Sequence, residues 1–350
     1  MRIMCAAPVS FKRITLFISH YMTGMARALK GMGNEVKFVE LLEIVNHPGI
    51  TQRLLSLYYY QPSKTYLLFL PSLLINRRLF LKEIKLYQPE ILFIHTIDDP
   101  MIPGTIRKVR NLSNCKIVTW CGVHPKCTRP WVREFLAMTD CILIYDPTYI
   151  SYYEKAIGNA KVEVLPLAHD GYNALSQVGM VPRHFSYDIC FIGRINEYRY
   201  KYLRVLKDFN LGIWSWNLSD RYRDLVPFYQ GQADGDHAVE VMRQARIVLN
   251  IHQHWERWGG NFRLFEIPAA GAMQLCDRLP GVKDYFEEDS EIVFFSSPEE
   301  LREKVNFLLD HPDLVHKIAK RGHLRVRKDH SLLQRCQTFM QIANKLVSQA

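Results

Sequence analysis

The sequence predicts an α/β fold made of two doubly wound parallel sheets, and three observations carry that expectation. Short apolar strands alternate with helical stretches along the chain. Polar residues collect just past the carboxyl ends of those strands. The alternation breaks once, at residues 166–186, and then restarts. A length of 350 residues suits about two domains. The 48% hydrophobic and 23% charged fractions are those of an ordinary globular chain.

Each element of the first half follows from local pattern. Arg2–Ala6 reads as a strand, His20–Met32 as an amphipathic helix, and Glu35–Glu40 as the next strand, entered through Gly31 and Gly33. Glu90–His95 is an apolar strand that runs out into Thr96-Ile-Asp-Asp99. A helix at Pro103–Leu112, the strand Lys116–Trp120, a helix at Trp131–Met138 and the strands Cys141–Tyr145 and Val162–Leu165 complete the unit. Continuous aliphatic and β-branched strands, rather than alternating ones, are buried on both faces, which marks a parallel sheet. The polar groups beyond the strand ends are His95, Asp98, Asp99, His124 and Asp146, where such sheets line a ligand crevice.

Pro166, Gly171, Gly179 and Pro182 interrupt the periodicity, which divides the chain into residues 1–170, a linker at 171–186 and a second unit at 187–330. That unit restarts with the strand Tyr187–Ile192. Further strands are expected at Gly212–Trp216, Val248–Ile251, Met273–Cys276 and Glu291–Phe295. Helices are expected near Tyr198–Asp208, His237–Ala245, Phe265–Ala270, Pro298–Asp310 and Leu314–Asp329, with a last one at Leu332–Val347 inside residues 331–350.

Charge and composition narrow the function classes. Residues 1–170 hold 21 Lys and Arg against 13 Asp and Glu, whereas the remainder is nearly balanced. A basic first half suits anionic lipid, a phosphorylated acceptor or nucleic acid, or serves solubility alone. No interleaved basic–aromatic module supports nucleic acid, so none is expected as a partner. No apolar run approaches the roughly 20 residues of a membrane-spanning helix. The N-terminus reads as a strand rather than a signal peptide. Eight scattered cysteines, most of them in apolar runs, suit reduced, buried thiols. Together these point to a cytoplasmic protein, with peripheral contact at the inner face of an anionic membrane as the further expectation. The Leu-, Tyr- and Phe-rich segment Leu54–Leu86 carries Arg77, Arg78, Lys82 and Lys85; it reads either as a membrane-facing helical pair or as core helices against the sheet.

The stretch Asn261–Cys276 says most about chemistry. Arg263 and Glu266 stand near the start of a helix whose other positions are nearly all small or apolar, so both need partners. A nucleoside diphosphate supplies them: phosphate for the guanidinium and ribose hydroxyls for the carboxylate. An Arg–Glu pair closing a core helix is the competing reading. Past the strand Tyr187–Ile192 stand Gly193, Arg194 and Arg199, with Gly193 giving a tight turn and two arginines placed to meet phosphate.

As a set, these segments resemble the C-terminal domain of GT-B glycosyltransferases, and more closely their CgeB-like (spore maturation protein type) branch. The matching run includes Asn250-Ile-His252, Asn261-Phe-Arg-Leu-Phe-Glu266, Gly271-Ala272, Val282-Lys-Asp-Tyr-Phe286, Glu291–Phe295, Pro298–Leu301, Ile318–Gly322 and Val326–His330, over about residues 187–340. The resemblance implies two Rossmann-like domains flanking an interdomain cleft, with the last helix crossing back to the first. It implies a metal-independent hexosyltransferase that needs no cofactor and moves sugar from a nucleotide-sugar donor to a glycan, lipid-linked or other cell-envelope acceptor. Glu266 then corresponds to the carboxylate on the donor ribose; Gly193, Arg194 and Arg199 fall beside the diphosphate, Asn261 and Arg263 beside diphosphate or sugar. His169, at the hinge, either reaches the diphosphate on closure or shapes a turn. His124 is a candidate for acceptor or sugar contact, or caps the next segment. In an inverting reaction a general base would come from His95, Asp98, Asp99 or His124. Many retaining relatives carry a second acid before the helix in a Glu-x7-Glu pattern; here the nearest upstream acid is Glu256, outside that spacing. A non-catalytic scaffold that binds a nucleotide or protein, or a nucleotide-sugar epimerase, would share these features.

Other motifs read as structural. Asp234-Gly-Asp236 precedes a helix and suits capping more than metal. His252 and His254 sit on one face of an extended segment with no third ligand at clear spacing, so no metal is expected. Trp214 and Trp216 are expected to pack inside, whereas Trp255 and Trp258 lie in a polar loop suited to a base or sugar.

Overall fold

A computed structural model describes residues 1–7, 14–40, 77–95, 102–122, 129–157, 161–169, 184–216 and 218–349, with only the backbone of 14–20, 40 and 156. Asp98, Asp99, His124, Asp170, residues 41–76 and most of the expected linker lie outside these residues. The chain divides into two units, one of Met1–Pro166 with Arg335–Ala350 and one of Leu167–Gln334.

The first unit is a six-stranded parallel sheet in the order β2-β1-β3-β4-β5-β6. Its strands are β1 (Arg2–Ala7), β2 (Glu35–Glu40), β3 (Ile91–His95), β4 (Lys116–Cys121), β5 (Cys141–Ile144) and β6 (Lys161–Val164). Between them run α1 (Ile14–Gly31), α2 (77–87), α3 (Ile102–Leu112), α4 (Pro130–Leu136) and α5 (Ile150–Ile157). Strand β3 is buried at every position, as its unbroken apolar run requires of a strand covered on both faces. Met4, Leu92, Ile106 and Phe135 belong to one core cluster of this unit. Helix α5 is an addition to the expected elements, because its run Ile150-Ser-Tyr-Tyr-Glu-Lys-Ala-Ile157 is too short for a clear 3.6-residue period.

The second unit repeats the plan with a different strand order, β12-β11-β10-β7-β8-β9, again parallel throughout. Its strands are β7 (Tyr187–Ile192), β8 (Leu211–Trp214), β9 (Tyr229–Gly231), β10 (Ala245–Asn250), β11 (Met273–Asp277) and β12 (Val293–Phe295). The helices are α6 (Glu197–Leu203), α7 (Gly235–Arg243), α8 (Phe262–Ala269), α9 (Pro298–Asp310) and α10 (Pro312–Asp329). The order reverses between β7 and β10, and the carboxyl ends of two strands that diverge in their connections leave a crevice there. Strand β9 is also an addition, too short at three residues to leave a pattern in the sequence.

The last helix, α11 (Leu332–Ser348), packs in the first unit. Its Phe339 lies 4.5 Å from Phe93 of β3, and Cys336 touches Met25 of α1. Seven described cysteines are free and buried. Burial pushes the Cys190 thiol up to about 12, so it stays protonated. No helix among the described residues is long and apolar enough to cross a membrane. One expectation fails locally. Trp214 is buried against Tyr187, but Trp216 is 41% exposed, because β8 ends before it. Asp234 occupies the N-cap position of α7 without accepting a side-chain hydrogen bond.

Candidate functional site

The switch point of the second sheet gathers the charged residues of three strand ends. After β7 the chain turns through Gly193 and Arg194, after β10 it enters the loop 251–261, and β11 ends on Asp277. Helix α8 then starts at the floor of the crevice. Its N-cap is Asn261, whose Oδ1 accepts the Leu264 N–H at 2.9 Å. Asn261 also exchanges two side-chain hydrogen bonds with Asn250, at 2.9 and 3.1 Å, which pins the helix start to the end of β10. Both polar atoms of Asn261 are thus engaged within the protein.

Two glycines make this entry possible. Gly259 and Gly260 have φ of +98° and +93°, the left-handed region that a side chain disfavours. A Cβ on Gly259 would also lie 2.6 Å from Val282 Cγ2. Helix α8 ends as expected, at Gly271 with φ +74°.

Glu266 is 3% exposed, one turn along the buried face of α8. Burial raises its pKa, and Arg263 one turn earlier partly opposes that shift through charge and a hydrogen bond. Arg263 Nη1 donates to Glu266 Oε2, and its Nε reaches the Ile192 carbonyl at 3.4 Å. Glu266 Oε1 is buried and has no hydrogen-bond partner. Such an oxygen costs free energy unless something satisfies it, by about 1–3 kcal/mol for a typical polar group and more for a charged one. The Arg263 side chain keeps 25% of its surface exposed. The pair is therefore half sealed, with a partly exposed arginine side chain and an unused carboxylate oxygen.

Arg199 is placed differently from the sequence expectation. It is 8% exposed rather than open to the crevice. Its guanidinium lies 5.5 Å over the Phe191 ring, while Nε donates to the Ile251 carbonyl at 2.8 Å and Nη1 to the Arg194 carbonyl at 2.9 Å. It ties the loop after β7 to the loop after β10. Gly193 leaves room for it, since a Cβ there would meet Arg199 Nη1 at 3.2 Å. The expected tight turn is a packing requirement at this position. Desolvation lowers the Arg199 pKa to about 10, with the nearby charges of Glu256 and Asp277 opposing the shift, so the group remains cationic. Arg194 itself is exposed.

Sequence reasoning misses Asp277. Its carboxylate accepts the His252 main-chain N–H at 3.0 Å and faces His252 Nδ1 at 2.6 Å. Burial opposes a charged His252, but Asp277 outweighs it and the imidazole pKa is raised. His252 Nε2 is buried without a partner. The signal was available in principle, because Asp277 ends a parallel strand at the crevice. His254 is exposed while His252 is buried, so the two do not share a face as expected. His252, Cys276 and Asp277 place one ligand atom each within 4.8 Å of one another, closer company than the spacing promised. Within this group the His252 Nδ1–Asp277 Oδ1 contact engages one ring nitrogen and leaves Nε2 without a partner. Glu256 accepts the Gln253 N–H at 3.1 Å and is raised in pKa by burial, against the opposing charge of His252. Trp255 is 40% exposed, and Trp258 covers Gly281, where a Cβ would lie 2.0 Å from its Nε1.

His169 is buried, with its main-chain N–H on the His330 carbonyl at 3.1 Å. His330 in turn donates from Nε2 to the Tyr285 carbonyl at 3.0 Å. This places His169 in a packed junction at the end of α10. The structure thus brings together Gly193, Arg199, Asn261, Arg263 and Glu266, with His252, Glu256 and Asp277 added.

Residues 199–341, which make up most of the second unit, match a family model described as glycosyl transferase-like. No curated protein matches the chain by sequence. Among solved structures, the chain is similar to a glycosyltransferase from Rickettsia africae, at 13% identity and a TM-score of 0.65, covering 100% of this chain and 99% of that one. It is similar to a sucrose-phosphate synthase from Thermosynechococcus elongatus, at 10% identity and a TM-score of 0.62 with complete coverage of both. It is also similar to the Anabaena protein HepE in complex with UDP, at 9% identity and a TM-score of 0.59, covering 99% and 100%. Identities this low carry the fold, two six-stranded parallel α/β units of GT-B type.

Proposed function

We propose that the protein is a glycosyltransferase that takes its sugar from a nucleoside-diphosphate donor held at the switch point of the second unit. The observation that carries this reading is the half-open pair on α8. Glu266 keeps one buried oxygen without a partner, and a ribose hydroxyl satisfies it. The Arg263 side chain is partly exposed, and a phosphate oxygen suits its guanidinium. Among the structural relatives, HepE is named in complexes with UDP and with UDP-glucose, which supports a uridine donor as the first to test. The motif set of residues 187–340 supports the CgeB-like branch.

Chemically, the arrangement suits stabilisation of a leaving diphosphate. Negative charge that grows on the departing phosphate meets Arg263, with Arg199 holding the two crevice loops in place behind it. Cationic side chains fill the part a metal ion plays elsewhere, so transfer proceeds without added metal. The acceptor, a glycan or a lipid-linked or other cell-envelope sugar, binds the first unit.

Calorimetric titration of UDP, GDP, dTDP and their sugars tests the donor site. One nucleotide should bind, and Glu266→Ala and Arg263→Ala should each weaken it by about a hundredfold, near 3 kcal/mol for a buried charge-assisted contact. Unchanged affinity in both variants would remove the basis of the assignment. Binding without transfer or donor hydrolysis would instead favour a nucleotide-binding scaffold, and conversion of the donor sugar alone would favour an epimerase.

A further inference from the structure

We infer that one face of α2, in the first unit, is a docking surface for an anionic phospholipid membrane. On this helix Phe80 and Ile84 are buried in the core, at 2% and 0% exposure. The opposite stripe carries Arg78, Leu79, Lys82, Lys85 and Leu86, all exposed and spaced so that they recur every three to four residues. Leu79 is 55% exposed and Leu86 is 68% exposed, among the highest values for large apolar residues of the described chain. Two bare leucines inside a row of three cations, along about 12 Å of helix, are unlike a solvated charged face.

Arg78, Lys82 and Lys85 have no acidic partner among the described residues. Glu83, the one acid of the helix, is held by Lys37 of β2. The stripe also continues beyond the helix end: Gln88 Nε2 donates to the Leu112 carbonyl at 3.2 Å, bringing the partly exposed Leu112 to the same edge. Leucines enter the boundary between headgroups and acyl chains while the lysine and arginine stems reach back to phosphate. Protein–protein interface cores are depleted in lysine, so bare lysines set among leucines are unlike such an interface. The whole first half is basic, which draws it toward the same surface. The inference is independent of the donor chemistry above.

Co-sedimentation of the full chain with vesicles tests it. Vesicles of phosphatidylcholine with phosphatidylglycerol should pellet the protein at low salt, and pure phosphatidylcholine should not. Each cation removed should lower the partition coefficient about fivefold, so Lys82→Glu with Lys85→Glu should abolish pelleting. Leu79→Ser with Leu86→Ser should weaken it at every salt concentration. The control pair Lys317→Glu and Lys320→Glu, on exposed positions of α10, makes the same charge change and should leave binding within about fivefold of wild type. Absence of vesicle binding by the wild type overturns the inference. So does an equal loss in the α10 control, which would mean diffuse attraction by net charge. Nucleotide titration of each variant reports that the fold is intact, so loss of membrane binding and loss of donor binding are read separately.

Discussion

The two sheets end their strands in different chemistry. In the second unit the crevice is ionic: Arg199, Arg263, Glu256, Glu266, His252 and Asp277 crowd the ends of β7, β10 and β11. In the first unit the described strand ends are aromatic. His95 lies 5.1 Å from Trp120, which in turn lies 5.8 Å from Tyr21 of α1 and 6.4 Å from Tyr145. Asp146, a buried carboxylate, stands just past the end of β5. Ring faces suit an uncharged sugar, and a pyrophosphate needs fixed cations. Two parallel α/β sheets thus present two kinds of surface through the residues placed past their strands.

The comparison breaks first at its glycines. Gly33, before β2, has φ +85° and open space within 4 Å of where a Cβ would stand. Gly259 has a similar φ but Val282 in the way. Gly33→Ala should cost about 1 kcal/mol, from the left-handed backbone alone. Gly259→Ala should cost about 3 kcal/mol, because overpacking adds to backbone strain, and should disturb the start of α8. Urea unfolding followed by tryptophan fluorescence measures both. Equal losses would mean that the loop before α8 adapts freely.

Asp277 comes next. Asp277→Asn presents an NH2 group to donors that the carboxylate accepts, the His252 main-chain and ring N–H groups. The expected loss is about 2–3 kcal/mol by the same unfolding assay. Nucleotide affinity should fall less than in the Glu266→Ala variant, since Asp277 acts through His252.

A smaller effect is the pH dependence carried by His252. Its folded pKa lies above the unfolded value of 6.5, so its stabilisation is complete below that pH and is lost as pH rises through the folded value. Wild type should therefore lose stability as pH rises above 6.5, relative to His252→Gln, whose side chain does not titrate. Parallel curves for the two proteins would show that the Asp277 contact does not favour the imidazolium.

Much of this is legible in sequence, and the particular failures have physical reasons. Strands buried on both faces announce themselves as apolar runs, so β1, β3, β7 and β10 stand within a few residues of their expected bounds. Glu266 and Arg263 stand out because a helix so poor in polar residues leaves them nowhere else to go. Arg199 looks like a ligand group, since a sequence does not say which main-chain carbonyls will lack donors; Ile251 and Arg194 do, and they capture it. Asp277 stays hidden because an acid at the end of an apolar strand looks like the first residue of a loop. Its partner His252 lies 25 residues away, beyond any local pattern.

Asp146 gives the smallest expected change in stability and the sharpest separation of the two crevices. It is fully buried, and its Oδ1 accepts from the Thr148 main chain at 2.9 Å and from the Thr148 hydroxyl at 2.5 Å. Its Oδ2 has no partner. Asp146→Asn keeps the accepting oxygen and turns the idle one into an NH2 group, so stability should change by less than about 1 kcal/mol. If the first unit holds the acceptor, Oδ2 is the oxygen that meets an acceptor hydroxyl, and the same variant should lower transfer to acceptor about tenfold or more while donor hydrolysis and nucleotide affinity stay unchanged. A parallel fall in hydrolysis and transfer would place the defect at the donor site instead, and the division of labour between aromatic and ionic crevices would fail.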